Sequence, residues 1–467
     1  MAYREPGVYL ELINARPNTG FLPSMIPVII AEGPAFLDLE GISVTRSAVL
    51  TDVLPYTKVT AITRIYTKAA DGVETTIAAA ANYALTSPNI ITWQEAGPAK
   101  PATGVVYYVD CEIRPEAIQY EKTFISSFAD LTAAYVGDLM KTTSGGAVDT
   151  VNPIYTGVFL ALESGAPGVY AIQVEPANKT TYAVVIATDI AGSLDRASFI
   201  PDAYHLAVMT ADSTATGALI THCTSMSGIE EKRERVCYVN LGIANPAAAS
   251  GIFSSAELDT AIAEAAAISD KRVRAPFITK VTRVFSDGVT RELGCEYFCA
   301  ALTGLASMLP VKRALTRQKL FNFVEVKHVV QLVRAAKNNL AQAGFMIIEQ
   351  PGGVGSAAVI RHGTTTKMDN LADREHSVVT IADYTAKYLR SSLEGYIGKE
   401  NITAMLLTKV TGTITSCFNF LKREEILEKT TIGKILQDED NPDSLLIDAN
   451  IKPYYPCNYI NIKLLIE

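Results

Sequence analysis

Few residues in this chain are of types and spacings that do chemistry. Gly353-Val354-Gly355-Ser356-Ala357-Ala358 satisfies G-x-G-x-x-A after the apolar run Phe345 to Glu349, the order in which a dinucleotide fold places its phosphate-binding turn. The residues that follow, Ala358-Val359-Ile360-Arg361-His362-Gly363-Thr364, are β-rich. They supply no helix whose N-terminus would hold a pyrophosphate, so a hairpin turn is the better reading. His362 before Gly363-Thr364 is a candidate general base for a Ser-His-Asp triad. The later serines, Ser391, Ser392 and Ser416, sit in helical patterns rather than on the sharp turn of a nucleophile, which leaves His362 at a polar strand end. Cys295 and Cys299 lie one helical turn apart and are candidates for two metal ligands, yet no second pair completes a site. His222 and Cys223 are adjacent on a helix and point apart. Lys232-Arg233-Glu234-Arg235 reads as a solvated helix end before a strand. The sequence therefore predicts no catalytic, cofactor-binding or metal-binding residue, and a protein that is not an enzyme.

Composition agrees with a protein built for packing. Of 467 residues, 48% are hydrophobic and 19% charged, with mean hydropathy +0.18, but no apolar run of about 18 residues is present to span a bilayer. Much of that apolar surface must be buried, some of it against other subunits. The formal net charge of −8 argues against a phosphate-binding surface and hence against a nucleic-acid partner. Seven cysteines, scattered, odd in number and never spaced CxxC, predict buried thiols. The opening Met1-Ala2-Tyr3-Arg4-Glu5-Pro6 has no apolar h-region, which predicts no secretory signal and synthesis in a cytoplasm.

The elements that must position these residues fall into several blocks, since the length exceeds one ordinary core. Gly7 to Ile13 reads as a strand fenced by Pro6 and Pro17, with no hairpin mate nearby. Pro27 to Ala31 reads as a buried strand. From 46 to 114 the texture is β-branched alternation broken by turn signals, an inserted small all-β domain. Its clearest strands are Tyr83 to Thr86, Ile90 to Trp93 and Val105 to Val109, with Trp93 in its core. Residues 21–45 and 115–328 alternate apolar runs with helices as in a central α/β domain. Its predicted strands are Ala183 to Ala187, His205 to Met209, Val236 to Val239 and Phe277 to Thr279. Ala218 to Cys223 is a helix core, Ser254-Ser255-Ala256-Glu257 is a capping box opening a helix to Ile268, and Cys295 to Met308 is an apolar helix. Residues 329–455 form an inner α+β domain, with helices over Arg334 to Gln342, Asp383 to Ile397 and Ile402 to Leu421, then a strand whose Leu445, Ile447, Ala449 and Ile451 alternate. Last comes the arm 456–467, whose Ile460, Ile462, Leu464 and Ile466 share one face of a strand. An apolar strand of this kind is a template for pairing with another chain.

Several of these stretches resemble contractile phage tail sheath proteins, a family that includes the sheaths of contractile injection systems. Pro6-Gly7-Val8-Tyr9-Leu10-Glu11 is similar to the family's opening, and Ala300-Ala301-Leu302-Thr303-Gly304-Leu305 before Pro310 to its packed helix. Gly363-Thr364-Thr365, Val379 to Arg390, Ile397-Gly398-Lys399-Glu400-Asn401 and Pro456-Cys457-Asn458-Tyr459-Ile460 are similar, in order, to its C-terminal domain.

The resemblance implies an α/β, or α+β, multidomain fold. It has an inner C-terminal domain with terminal strand-exchange arms (the first being 1–20), a central α/β domain of subtilisin-like shape without that activity, and an outer β insertion. It implies a homo-oligomer wrapped helically around an inner tail tube and joined to baseplate and tail terminator proteins. This would be a virion component assembled in the bacterial host cytoplasm, with no cofactor, no direct nucleic-acid contact and no membrane insertion. Arms from neighbours would add strands to a sheet, main-chain hydrogen bonds linking the subunits and alternate apolar side chains fixing register. The arm residues are Val8, Tyr9, Leu10, Leu12, Ile13, Ile460, Ile462, Leu464 and Ile466. Arg334, Lys337, Lys422 and Arg423 are the candidates to face the tube. Contraction would be a rigid-body rearrangement about preserved arms, driving the tube through a bacterial envelope without a nucleotide. The second reading is a non-contractile virion or secretion-apparatus protein using the same strand exchange; the third is an α/β enzyme.

Overall fold

The computed structural model describes residues 25–33, 37–56, 59–77, 82–87, 89–113, 122–135, 137–141, 148–174, 186–247, 251–327 and 332–458. The terminal strand patterns, Val8 to Ile13 and Ile460 to Ile466, lie outside these residues.

Runs of consecutive apolar residues form the central sheet. Its strands in chain order are β1 (Ile26–Glu32), β2 (Lys122–Ile125), β3 (Val169–Val174), β4 (Ala203–Val208), β5 (Val236–Tyr238), β6 (Val273–Phe277), β7 (Lys319–Leu320), β8 (Phe345–Glu349) and β9 (Ala358–Ile360). They lie side by side in the order β7-β9-β8-β6-β5-β4-β1-β3-β2. The six from β8 to β3 are parallel, and β2, β9 and β7 pair antiparallel at the two margins. Val28, Ile29, Ile30 and Ala31 are all buried, so both faces of β1 are covered, as a parallel sheet requires.

The helices cover it. Helix α1 (Pro153–Glu163) packs on α5 (Cys295–Met308), and both rest on β1; α2 (Ala187–Ser198) packs on α3 (Ser213–Met226). A Cβ on Gly304 of α5 would stand 2.0 Å from the Ala161 carbonyl oxygen of α1, so only glycine permits this approach. Helix α4 (Ser255–Ile268) opens on the predicted capping box, Ser254 and Glu257 each bonding the other's backbone N–H.

Between β1 and β2 the chain builds two small sheets. Leu37–Thr45, Val106–Ile113, Val59–Lys68 and Glu74–Ile77 form one; Thr51–Val53, Ile90–Trp93 and Tyr83–Ser87 form the other. They share a core of their own around Trp93, which is 1% exposed. Its indole N–H donates to Asp52 Oδ2 at 2.7 Å, and the Tyr107 hydroxyl donates to the same oxygen at 2.9 Å. Leu37 and Ile113 face each other across the ladder, so the chain enters and leaves this unit side by side, the geometry of an insertion.

A third core lies at the end of the chain. Helix α7 (His376–Leu393) packs on α8 (Ala404–Arg423), and α8 packs on a hairpin of β10 (Leu427–Gln437) and β11 (Leu445–Pro453).

Several features differ from the sequence reading, among them the start of α7, at His376 rather than Asp383. The inserted unit starts at Leu37 rather than 46, because Leu37–Thr45 pairs with Val106–Ile113. Ala183 to Ala187 is not a described strand: 183–185 lie outside the described residues, and Ala187 begins α2. Phe277 to Thr279 gives way to β6, four residues earlier, a strand that holds Arg274 and Pro276 and so escapes a pattern rule. Finally, α6 (Arg334–Gln342) and strands β8 and β9, assigned from sequence to the inner domain, complete the central sheet and its core. Phe345 to Ile348 are apolar on both faces and find cover only there.

Candidate assembly interfaces

The residues singled out for chemistry occupy structural positions. Gly353 and Gly355 have φ of 76° and 84° in the turn between β8 and β9, whose Ile348 and Ile360 pair antiparallel; no helix follows. Cys295 and Cys299 are buried, and burial pushes the Cys299 thiol up. His222 Nε2 accepts from Arg235 Nη1 at 2.7 Å, and burial followed by that guanidinium pushes His222 down to about 4. The charged run ending at Arg235 is not a solvated helix end. Arg235 is fully buried, donating to the carbonyls of Ser198 and Ile200, and Glu234 is buried against Arg390. Among the described residues no group of three or more His, Cys, Asp or Glu is placed to hold a metal ion. No described helix is long and apolar enough to cross a membrane.

A polar seam joins α7 to the central sheet. Asp383 on α7 accepts from the Tyr204 hydroxyl of β4 at 2.6 Å and from Arg272 beside β6. Arg274 Nε donates to His376 Nδ1 at 3.0 Å, and the Tyr238 hydroxyl lies 3.2 Å from His205 Nδ1. All seven of these side chains are buried. Burial, then the positive charge of Arg274, holds His205 and His376 well below the usual histidine range, so both stay neutral. Lys387, one turn beyond Asp383, is pushed down to about 8 by burial. The pairings of α7 with the sheet join residues more than 100 positions apart, and no local pattern announces them.

The second interface lies where the described chain ends. Glu375, almost wholly buried, accepts from Asn458 Nδ2 at 3.2 Å and lies 2.8 Å from His362 Nε2. His362, 3.1 Å from Asn458 Nδ2, thus helps hold Asn458 where the described chain ends. Beside it opens a cleft of about 610 Å³ lined by Arg317, Arg334, Arg361 and Arg374 together with Cys457 and Asn458.

The third is the hairpin. Ile432, Ile435, Leu445, Ile447 and Ile451 turn toward α8, while Leu436 and Leu446, cross-strand partners, are 51% and 53% exposed. Among the described residues β10 and β11 pair only with each other, so along the outer side of each strand, eleven and nine residues long, alternate residues keep backbone N–H and C=O groups without a strand partner. An isolated two-stranded hairpin is marginal in water, and open edges of that length are normally covered.

The four basic candidates do not form one surface. Arg334 lines the cleft, and Lys337 lies 3.6 Å from Glu349 with little exposure. Lys422 and Arg423 close the last turn of α8, Arg423 lying 3.6 Å from Glu424 and over the Phe420 ring.

This architecture is similar to that of solved chains from contractile sheaths. The helical sheath of the anti-feeding prophage in its contracted state superposes with a TM-score of 0.56 over 100% of both chains, at 14% identity. A chain of that particle's six-fold symmetrised baseplate gives 0.54 over 76% of this chain and 90% of its own, at 16% identity. In sequence, the chain is similar to the tail sheath protein of Mycobacterium phage Bxz1, 25% identical over 312 residues. That match takes in 65% of this chain and spans only half the length of the phage protein. No family model matches the chain.

The seam predicts a specific acid sensitivity. Unfolded histidine titrates near 6.5, whereas His376 in the fold stays neutral well below that value. Stability is therefore complete above about pH 6.5 and falls as pH drops, by about 1.4 kcal/mol per unit for this group. Denaturant unfolding from pH 7.5 to 5 should show wild type losing more than His376→Gln by that slope; parallel curves would show that His376 does not carry it.

Proposed function

We propose that the protein is the structural subunit of a contractile tail sheath, polymerising around an inner tube by exchange of terminal strands and contracting to drive that tube through a bacterial envelope. The observation that carries this reading is the β10–β11 hairpin, which rests on a helical pair yet leaves both edges unpaired among the described residues. Its apolar inner face fixes how an added strand must alternate, and its backbone supplies the hydrogen bonds. The candidates to add those strands are Val8, Tyr9, Leu10, Leu12 and Ile13 at one end and Ile460, Ile462, Leu464 and Ile466 at the other.

The likeness to a contracted sheath and the similarity to a phage tail sheath protein support the same reading. Its partners are then further copies of the chain, an inner tube protein, a baseplate and a tail terminator, and its place is the virion, reached after synthesis in the host cytoplasm. The chemistry is mechanical, with no cofactor assigned. The domain scheme carried with it is an outer β insertion, a central α/β body and an inner unit built on α7, α8 and the hairpin. For the tube, Lys422 and Arg423 are the stronger candidates, because Arg334 and Lys337 belong to the cleft. A surface that holds a tube and then lets it slide suits a few solvated charges, each contributing about 0 to 1 kcal/mol.

Deletion of residues 459–467 should leave a folded subunit that no longer polymerises, measured by circular dichroism and analytical sedimentation. Polymers of normal length from the truncated chain would assign that strand to its own body and overturn arm exchange. Reversal of both Lys422 and Arg423 should weaken co-sedimentation with purified tubes, most at low salt, and leave polymerisation intact. Binding indifferent to both the reversal and the salt would place the tube contact elsewhere.

A further inference from the structure

The cleft beside Asn458 has an electrostatic character that the strand-exchange reading does not use. Arg317, Arg334, Lys337, Arg361 and Arg374 gather around it and its continuation along α6, opposed among the described residues by Glu349 and Glu375. Five cations and two carboxylates leave a net charge of +3. The pairing inside it is loose. Arg317 and Arg361 stand 4.0 and 3.9 Å from Glu349, and Arg374 stands 3.6 Å from Glu375. Arg361 Nη1, Arg374 Nε and Asn458 Oδ1 are buried without a hydrogen-bond partner among the described residues. The two arginine donors cost free energy until an acceptor reaches them, and the Asn458 oxygen until a donor does.

An occupant of matching chemistry is present on the same chain. The turn joining β10 to β11, Gln437-Asp438-Glu439-Asp440-Asn441-Pro442-Asp443, carries four carboxylates and no cation. Asp438 organises it, accepting from the Asp440 N–H at 3.0 Å and from Asn441 Nδ2 at 3.3 Å. Glu439, Asp440 and Asp443 are exposed and form no ion pair among the described residues. At about 3.3 Å per residue, a strand of the length of β10 carries this tip roughly 35 Å along the hairpin. No hydrogen bond or ion pair joins it to its own chain's cleft among the described residues. The segment after Asn458 is a poorer match, because its one carboxylate side chain, Glu467, stands nine residues on and is offset by Lys463.

We infer that the acidic tip of the β10–β11 hairpin of one subunit docks in the arginine cleft of a second copy of this chain. The contact rests on the polymer reading and deepens it. It would be a charged latch, separate from strand exchange, that sets the angle between neighbouring bodies while the arms hold them together. Charge complementarity of this kind fixes register and excludes wrong orientations more than it adds affinity.

The test uses the full chain under assembly conditions. Asp440→Cys places a thiol on the tip, within reach of Cys457 at the cleft if the latch forms. Mild oxidation of the assembled variant should give a ladder of disulfide-linked oligomers that Cys457→Ser abolishes. In parallel, Glu439→Lys with Asp440→Lys should leave polymers that have lost their regular register in electron micrographs, Arg334→Glu with Arg361→Glu should do the same, and the four together should restore regular polymers. Polymers that form without a ladder and ignore the tip reversal would overturn the latch while leaving the sheath reading intact. A cross-link within one chain would also overturn it, by placing the tip in its own cleft. Wild-type protein that never polymerises would remove both the latch and the sheath reading.

Discussion

Backbone groups at a strand edge need partners, and the β10–β11 hairpin leaves two edges without them among the described residues. The free energy available there is modest per bond, about 0.5 to 1.5 kcal/mol net for each hydrogen bond formed. It repeats along a strand and again at every junction of a polymer. An edge that offers this must be held still, because a mobile template loses in ordering entropy what it gains in bonding. The rest of the inner unit supplies that rigidity. Phe418 and Leu421 of α8, with Ile426 and Leu427 at the start of the hairpin, form one buried cluster beneath it.

Rigidity then has to pass from the hairpin to the body. Here the polar seam acts beside the buried Val378, Val379 and Ile381 of α7, since Asp383, Arg272, Tyr204, Arg274 and His376 bond in pairs that fix the placement of α7 on the sheet. Removing one partner would strand a charge in a buried site, at a cost of about 3 to 5 kcal/mol. The hairpin, α8, α7 and central sheet therefore move as a block. A block of this kind suits a machine in which subunits turn against one another while the links between them persist. The inserted β unit enters and leaves at neighbouring strands, and its own core around Trp93 makes it a passenger on that block.

Much of this was legible in the sequence wherever local chemistry decides the outcome. Helix α5 is apolar all round and runs from Cys295 to Met308 as its pattern predicts. The Ser254–Glu257 box opens α4, and the glycine turn after β8 is a hairpin because no helix-forming run follows it. The misreadings share a different cause. Helix α7 starts at His376, seven residues before the predicted Asp383, because His376, Ser377 and Thr380 look like loop residues until the sheet that buries them is in place. Strand β6 was displaced because Arg274 breaks an apolar pattern and is satisfied in its buried place by the Lys271 carbonyl and by His376, 102 residues away. Glu234 and Arg235 read as solvent-facing for the same reason. Long-range polar pairing is what a window along the chain cannot see.

The central claim is that the hairpin edges are covered by strands from other copies. Amide hydrogen exchange followed by mass spectrometry, on dispersed and assembled protein, tests it most directly. The account predicts that residues 427–437 and 445–453 exchange readily in the dispersed subunit and become protected on assembly, while β1 and β4 are slow in both states. Polymers in which those two stretches exchange as fast as in the dispersed subunit would contradict it, as would full protection before assembly.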